Sequence, residues 1–495
     1  MTDPDHPVVA PGAPPPGEPF AALHETHSGV VVLYGDRAYK TKKPIVTDFL
    51  DFGGRAEREQ ACAREIRLNR RLAPDIYLGL GHLVESAGDD GEPVVVMRRL
   101  PDAHRLSRLL DRTDTARSTL GGLARTLARF HDSADTGPSI DRDATVDALR
   151  ARWWSLLDGV TEPPASSSVV GRIGELAMRY LDRRVPLFDD RIAARRIIDG
   201  HGDLRADDIF VLDDGFRILD CLDFDDSLRH IDRLDDIAFL AMDLEFLGHP
   251  GLAESFVGDY AIAARDPAPP SLRHHYTAYR ALVRAKVDCI RHRQGDGDAA
   301  DHVRRHLDIA LAHLETGAVR LALVGGLPGT GKSTIADHVG RATDAVVLSS
   351  DHVRTRLRSA GLVSAGTGHY DAEGYSPAAK SRVYDELLDQ ARTHLARGRS
   401  VVLDASWTAA SHRGRAAALA SDLHAELIEI RCAAPRLVAA RRISDRRDSE
   451  SEASPAIAEE MARDAEAWPS ATVLDTTGPL ADTVERILGV WRARA

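Results

Sequence analysis

The chain has 495 residues, of which 43% are hydrophobic and 28% charged, with a formal net charge of -12. That length exceeds one ordinary core and implies two or three domains. The acidic balance argues against a general nucleic-acid coat or a polybasic membrane binder.

Cys62, Cys221, Cys289 and Cys432 lie far apart with no C-x-x-C pair, the usage of a reducing cytosol rather than of a disulfide framework or zinc site. No apolar run reaches the length of a membrane span, and the N-terminus "MTDPDHPVVAPGAPPPGEPF" is acidic and Pro-rich rather than signal-like. A cytoplasmic protein is expected, with residues 1–19 as a disordered tail. Of 64 Lys plus Arg, only Lys40, Lys42, Lys43, Lys286, Lys332 and Lys380 are lysines. Where this chain keeps a lysine, a compact ammonium on a flexible stem is the property retained.

In chain order, "SGVVVLYGDRAYKTKKPIV" predicts two short strands joined by a Gly-Asp turn. "GRAEREQACAREIRLNRRLAP" predicts a helix closed by Pro74. "PVVVMRRLP" predicts a strand, and residues 104–200 are mostly helical. After "GHGDLRADDIF" comes the hairpin-like "IFVLDDGFRILDCLDF", then helices to about residue 316. Beyond Val319 five apolar strands, in "RLALVGG", "AVVLSS", "SVVLDAS", "AELIEIRCA" and "ATVLDTT", alternate with helices, which implies a parallel sheet covered on both faces. The domain boundary is placed near 316: 20–316 (small lobe 20–100, helical large lobe 101–316), then 317–495.

"GLPGTGKST", from Gly326, fits G-x-x-x-x-G-K-[ST], follows an apolar strand and opens a helix. Gly326, Gly329, Thr330, Gly331 and Thr334 would form a backbone cradle for phosphates at a helix N-terminus. Lys332 would reach the β- and γ-phosphates of ATP, and Ser333 would hold Mg²⁺. Asp404 ends "VVLDAS" and could hold Mg²⁺ through water or simply make a strand-terminal turn.

"SSDHVRTRL" resembles the small P-loop kinases, including gluconate-kinase-like, zeta-toxin-like and polynucleotide 5′-kinase families. The resemblance implies Asp351 as base toward the acceptor hydroxyl and Arg354 as a substrate anchor, with helix capping by Asp351 as the plain alternative. It also implies a lid in "APRLVAARRISDRRD", with Arg441 as the candidate acting arginine among Arg442, Arg446 and Arg447.

The first half resembles the aminoglycoside phosphotransferase superfamily, which shares the protein-kinase fold. "AYKTKKP", "REIRLNRRLAP", "LARFHDSAD", "GHGDLRADDIF", "ILDCLDFDD" and "DDIAFLAMDL" carry the match. It implies Asp203 as catalytic base and Asp220 as a Mg²⁺ ligand. Lys40 would hold the α- and β-phosphates, with Glu65 orienting it. Lys42 shares a strand face with Lys40 and is the alternative, while Lys43 points away. Where the family carries a metal-binding Asn, this chain has Asp208. It can ligate Mg²⁺, but beside Asp203 and Asp220 it crowds negative charge and raises carboxylate pKa values.

The whole chain thus resembles tandem fusions of an aminoglycoside phosphotransferase-like domain with a P-loop kinase. The implied function is an ATP- and Mg²⁺-dependent phosphotransferase acting on a hydroxylated small molecule. A regulatory ATP-binding protein with a degenerate N-terminal half and a polynucleotide 5′-hydroxyl kinase are the alternatives, the latter disfavoured by the acidic charge.

Overall fold

The computed structural model describes residues 12–25, 29–45, 52–84, 91–161, 163–362, 376–445 and 454–492. The disorder expected of residues 1–11 and the lid residues Arg446 and Arg447 lie outside the described residues. Contacts divide the chain into two compact units. One comprises residues up to 165 with 191–267 and 276–310, the other 166–190, 268–275 and 311–495.

The first unit opens with an antiparallel sheet. Strands β1 (Ala21–Glu25), β2 (Gly29–Tyr34), β3 (Arg37–Lys42), β4 (Tyr77–Leu83) and β5 (Glu92–Arg98) lie in the order β1-β2-β3-β5-β4. The Gly-Asp turn is there: Tyr34 pairs with Arg37, and Gly35 takes φ 58°, which a two-residue hairpin requires. The helix Arg55–Asn69 lays Cys62, Glu65, Ile66 and Asn69 inward at helical spacing. Its apolar members join Ile76, Tyr77, Val95 and Met97 in one core. Strands β1 and β4 carry no clear sequence signal: β1 is almost wholly exposed and lacks a buried face, and two glycines and a histidine interrupt β4. Ahead of β1, Glu18 accepts from Arg99 at 2.7 Å and from the Asp102 amide at 2.7 Å, so this part of the expected tail is held.

Helices follow, as expected, and then two short ladders. β6 (Ile197–Asp199) pairs with β9 (His230–Asp232), and β7 (Ile209–Leu212) with β8 (Gly215–Ile218). Residues 200–208 run between β6 and β7. The helix Arg233–Phe246 passes beneath this loop and is buried from Arg233 through Leu244. It carries Asp235, Asp236 and Asp243 into the interior.

In the second unit β10 (Arg320–Gly325), β11 (Val346–Ser349), β12 (Val401–Asp404), β13 (Glu426–Ala433) and β14 (Thr472–Asp475) form a wholly parallel sheet ordered β11-β12-β10-β13-β14. All five expected strands are present. The chain leaves β10 toward β11 and β12 on one side and later continues to β13 and β14 on the other. The loop after β10 therefore opens where the winding reverses, at the carboxyl ends of the strands. β10 is buried along its whole length, with Ile335, Ala336 and Val339 of the helix Lys332–Thr343 packed in the same core.

Candidate functional sites

In the second unit the Gly-rich loop needs its glycines. Gly329 has φ 79°, and a Cβ there would lie 2.3 Å from the Ala439 carbonyl oxygen. Gly326 has φ 145°, and its Cβ would meet Thr330 Oγ1 at 2.6 Å. Gly331, at φ 82°, is the residue from which the helix Lys332–Thr343 starts. Thr330 is buried and donates to Leu327 O at 2.8 Å, while its own carbonyl accepts from Thr476 Oγ1 at 2.8 Å.

Asp404 ends β12 beside this loop, 4% exposed, hydrogen-bonded to Ser333 and within the field of Lys332. Burial raises its carboxyl above the usual range, against the opposing pull of Lys332. Its Oδ1 is buried without a hydrogen-bond partner.

Asp351 lies in the first turn of the helix Ser350–Ser359. It does not cap that helix: Ser349 does, its Oγ accepting from the Asp351 amide at 3.2 Å. The Asp351 carboxylate instead accepts from Arg354 at 2.7 Å through Oδ1. Lys332, Asp351 and Arg354 line one pocket of about 200 Å³ together with Lys380, Tyr384 and His412. The last three carry no motif that marks them as site residues. Lys380, one of only six lysines, carried the available signal. Tyr384 stacks on His412 with ring centroids 4.0 Å apart and takes a hydrogen bond from the Trp407 amide at 3.2 Å.

The expected lid arginine does not join this cluster. Arg441 is 85% exposed and faces Asp445 of its own helix at 3.5 Å. The next residue, Arg442, turns to the loop, donating to Thr476 O at 2.8 Å and reaching Gly329 O at 3.5 Å. Neighbouring residues on a helix point about 100° apart, and the sequence "AARR" does not reveal which of them faces inward.

In the first unit, Lys40 Nζ lies 2.9 Å from Glu65 Oε1 and 2.7 Å from Asp220 Oδ1. Lys42 Nζ lies 2.7 Å from Glu65 Oε2 and 2.8 Å from Asp223 Oδ2. Both strand lysines thus share the one buried glutamate, and Lys43 points elsewhere, to Glu25 at 2.7 Å. Burial opposes ionisation of Glu65, but Lys40 and Lys42 hold its carboxyl below the usual range. Lys40 pulls the Asp220 carboxyl down to about 2.

Asp220 has φ 61°, an unusual backbone state for a residue with a side chain. Two groups from the small lobe hold it: Tyr77 OH accepts from the Asp220 amide at 3.3 Å, and Asn69 Oδ1 accepts from the Cys221 amide at 2.8 Å.

The Asp203 amide donates to His201 Nδ1 at 3.3 Å, so the ring proton sits on Nε2 and is donated to Leu219 O at 3.2 Å. One imidazole therefore connects Asp203 with the residue before Asp220. Burial lowers its pKa to about 4, which keeps the ring neutral. Asp236 accepts from the His201 amide at 2.7 Å, the Gly202 amide at 2.9 Å and His131 Nε2 at 3.2 Å. Asp243 accepts from the Ala206 amide at 2.8 Å, and Arg280, clamped by Asp235, donates to Gly202 O at 3.1 Å. The signal for these braces was present in "DDIAFLAMDL", whose acids stand where a buried helix would carry apolar residues.

Burial first, then Asp220, push the Asp208 carboxyl up to about 8. Burial likewise raises Asp203, with Arg205 and Arg284 pulling the other way. Lys40, Asp208 and Asp220 line a cleft of about 580 Å³ whose other walls include Val31, Leu33, Ala38, Met97 and Leu219. Asp203 is not among its lining residues.

Among the described residues there is no cluster of three or more His, Cys, Asp or Glu suited to a metal ion. Mg²⁺ in phosphate-handling sites is instead held by one or two carboxylates with phosphate oxygens and water. The orphaned Asp404 Oδ1 beside Ser333, and the neighbouring carboxyl groups of Asp208 and Asp220, fit that donor set.

Residues 46–275 match the model of the phosphotransferase enzyme family, and residues 321–493 match an AAA domain model. Uncharacterized proteins of Mycobacterium tuberculosis and Mycobacterium bovis are 44% identical over 496 residues, covering 100% of both chains. The chain belongs to this family of two-domain fusions. Its first half has the aminoglycoside phosphotransferase-like, protein-kinase-like fold, and its second the P-loop kinase-like fold with a five-stranded parallel sheet.

Among solved structures, a sugar kinase of Janibacter sp. is 21% identical, spanning 36% of this chain and 96% of that one with a TM-score of 0.29. A choline/ethanolamine kinase family protein from Mesorhizobium loti is 16% identical, spanning 60% and 93% with a TM-score of 0.35. Two kinase-like domains place the family among phosphotransferases. No helix among the described residues is long and apolar enough to cross a membrane.

Proposed function

We propose that the chain is an ATP-dependent kinase whose second domain, 317–495, transfers a γ-phosphoryl group to a hydroxyl of a small molecule, and whose first domain, 20–316, holds a second nucleotide. The observation that carries this reading is the pocket in which Lys332, Asp351 and Arg354 meet beside the buried, incompletely satisfied Asp404. In this reading the loop amides and Lys332 bind the β- and γ-phosphates. Ser333 and Asp404 would hold Mg²⁺, which neutralises phosphate charge when bound. Arg354 occupies Asp351 Oδ1 and leaves Oδ2 to take the acceptor's proton as its oxygen attacks the γ-phosphorus and the bond to ADP breaks. Arg442, already on the loop, replaces Arg441 as the lid candidate.

For the first domain, the apolar cleft beside Lys40, Asp208 and Asp220 supports nucleotide binding, with Lys40 on the phosphates and Asp203 as base. Asp208 favours a weaker N-terminal site or a regulatory one, since its carboxyl takes up charge only at the expense of Asp220 nearby.

The test compares Lys332→Ala and Asp203→Asn, made singly, for transfer of labelled phosphate from ATP to a metabolite extract. Loss of all transfer in Lys332→Ala with Asp203→Asn unchanged leaves one catalytic domain and a nucleotide sensor. Full transfer in Lys332→Ala refutes the assignment of the second domain. Phosphorylation of a 5′-hydroxyl oligonucleotide, rather than of small molecules, would establish the polynucleotide kinase alternative.

A further inference from the structure

Apart from the two sites above, the second unit contains a small, partly open cavity of about 40 Å³, lined by Arg179, Tyr180, Arg184, Ser271, His424 and Glu426 among others. Arg184 lies between the helices Ser167–Asp182 and Val185–Ala193, and is 1% exposed. It has no carboxylate partner. Its Nη1 donates to Leu423 O at 2.7 Å and Arg183 O at 3.2 Å, and its buried Nε has no acceptor. Burial pulls the guanidinium down to about 10, which leaves it cationic at neutral pH.

Buried arginines elsewhere in the described residues are matched by acids: Arg191 by Asp232 and Asp266, Arg280 by Asp235, Arg320 by Glu426. Arg413 also lacks an acid, but three carbonyl oxygens accept from its two terminal nitrogens. An unpaired buried cation is among the costlier features a fold can carry. Here a second guanidinium, Arg179, stands on the wall of the same cavity. Glu426 is already held by Arg320 at 3.1 Å. Ser271 donates to Gly398 O at 2.7 Å, so Tyr180 donates to Ser271 across their 3.0 Å contact. Both hydroxyl protons are thereby used within the protein, and Arg184 and Arg179 remain as cationic side chains of the lining.

A space of about 40 Å³ exceeds the roughly 10–15 Å³ that one water needs, and suits a guest of a few heavy atoms rather than a nucleotide. We propose that this cavity binds a small tetrahedral oxyanion, of the phosphate or sulfate class, which supplies the counter-charge that Arg184 lacks, with Arg179 on the same wall. A guanidinium fork is shaped for such an anion. The assignment is independent of the kinase reading.

The test uses the full chain carrying Lys332→Ala, so that the Gly-rich loop is weakened as a competing phosphate site. Sodium phosphate and sodium sulfate are titrated by calorimetry at constant ionic strength, with sodium chloride as the control. Saturable binding of phosphate, sulfate or both is expected, and Arg184→Met in the same background should weaken it by about tenfold or more. Should Arg184→Met not fold, Arg184→Lys and Arg179→Met are used, and each should weaken binding. A selenate soak of crystals should place an anomalous peak beside Arg184. Absence of saturable oxyanion binding, affinity unchanged in the arginine variants, or binding with no peak in the cavity overturns the proposal. Response to one oxyanion alone identifies which of the two the site prefers.

Discussion

Replacing Asp236 tests the reading of the loop 200–208 most directly. The carboxylate accepts two buried amides and one imidazole, at 2.7, 2.9 and 3.2 Å, and is fully buried. A hydrogen bond to a charged group contributes about 1.5–3 kcal/mol, and an orphaned buried N–H costs about 1–3 kcal/mol. Discounting for relaxation, Asp236→Ala should destabilise the first unit by about 4 kcal/mol, within the range of roughly 3–5 kcal/mol for breaking a buried charged contact. Asp236→Asn keeps one acceptor oxygen and turns an NH₂ toward the other donor, so about half that loss is expected. Thermal unfolding should show the transition of the first unit lowered by about 10 °C in the alanine variant. Hydrogen exchange across residues 197–210 should accelerate by about three decades, since ~1.4 kcal/mol is one decade. A loss below about 1 kcal/mol, or unchanged exchange in that loop, would refute the view that this helix suspends the catalytic-type loop.

Gly329→Ala should cut nucleotide affinity of the second domain severely while leaving the fold intact, because the added Cβ meets the Ala439 carbonyl oxygen at 2.3 Å; calorimetric titration of ATP checks this. Arg442→Ala should lower phosphate transfer by about tenfold and Arg441→Ala by less than about twofold, the order expected if contact with the loop matters; steady-state kinetics on the two variants decides it. His201, neutral when folded with a pKa near 4, contributes stability that is fully present above its unfolded value near 6.5. That contribution is lost as pH falls toward 4, because the unfolded chain takes up the proton first. Unfolding temperatures measured between these limits should fall less steeply for His201→Gln than for the natural chain. A parallel pH dependence in both would exclude His201 as a source.

The legibility of the candidate sites follows the range of the interactions. The Gly-rich loop is legible as a strand-to-helix turn, because its glycines, Lys332 and the helix start are one contiguous signal. The crowding at Asp208 was also readable, since like charges nearby act through general electrostatics: the carboxyl rises to about 8. The braces Asp235, Asp236 and Asp243 were present only as a motif. Their partners lie 34 to 105 residues away along the chain, and no local periodicity names them. The family resemblance pairs Glu65 with Lys40, whereas Lys42 claims its second oxygen, a pairing decided by how the helix Arg55–Asn69 meets the sheet.

The sequence by itself determined the two-domain order, the strands β2, β3, β5 and β10 to β14, the Gly-rich loop opening a helix and the likeness of "GHGDLRADDIF" to a phosphotransferase loop. Those rest on short-range periodicity and on residues whose backbone conformation is fixed locally. Only the tertiary structure decided that Ser349 rather than Asp351 caps its helix and that Arg442 rather than Arg441 turns to the loop. It alone decided that Arg184 is buried without a counter-ion. The physical reason is common to all three. Whether a polar group meets a partner depends on desolvation and on neighbours brought from distant parts of the chain, and both arise only once the layers pack.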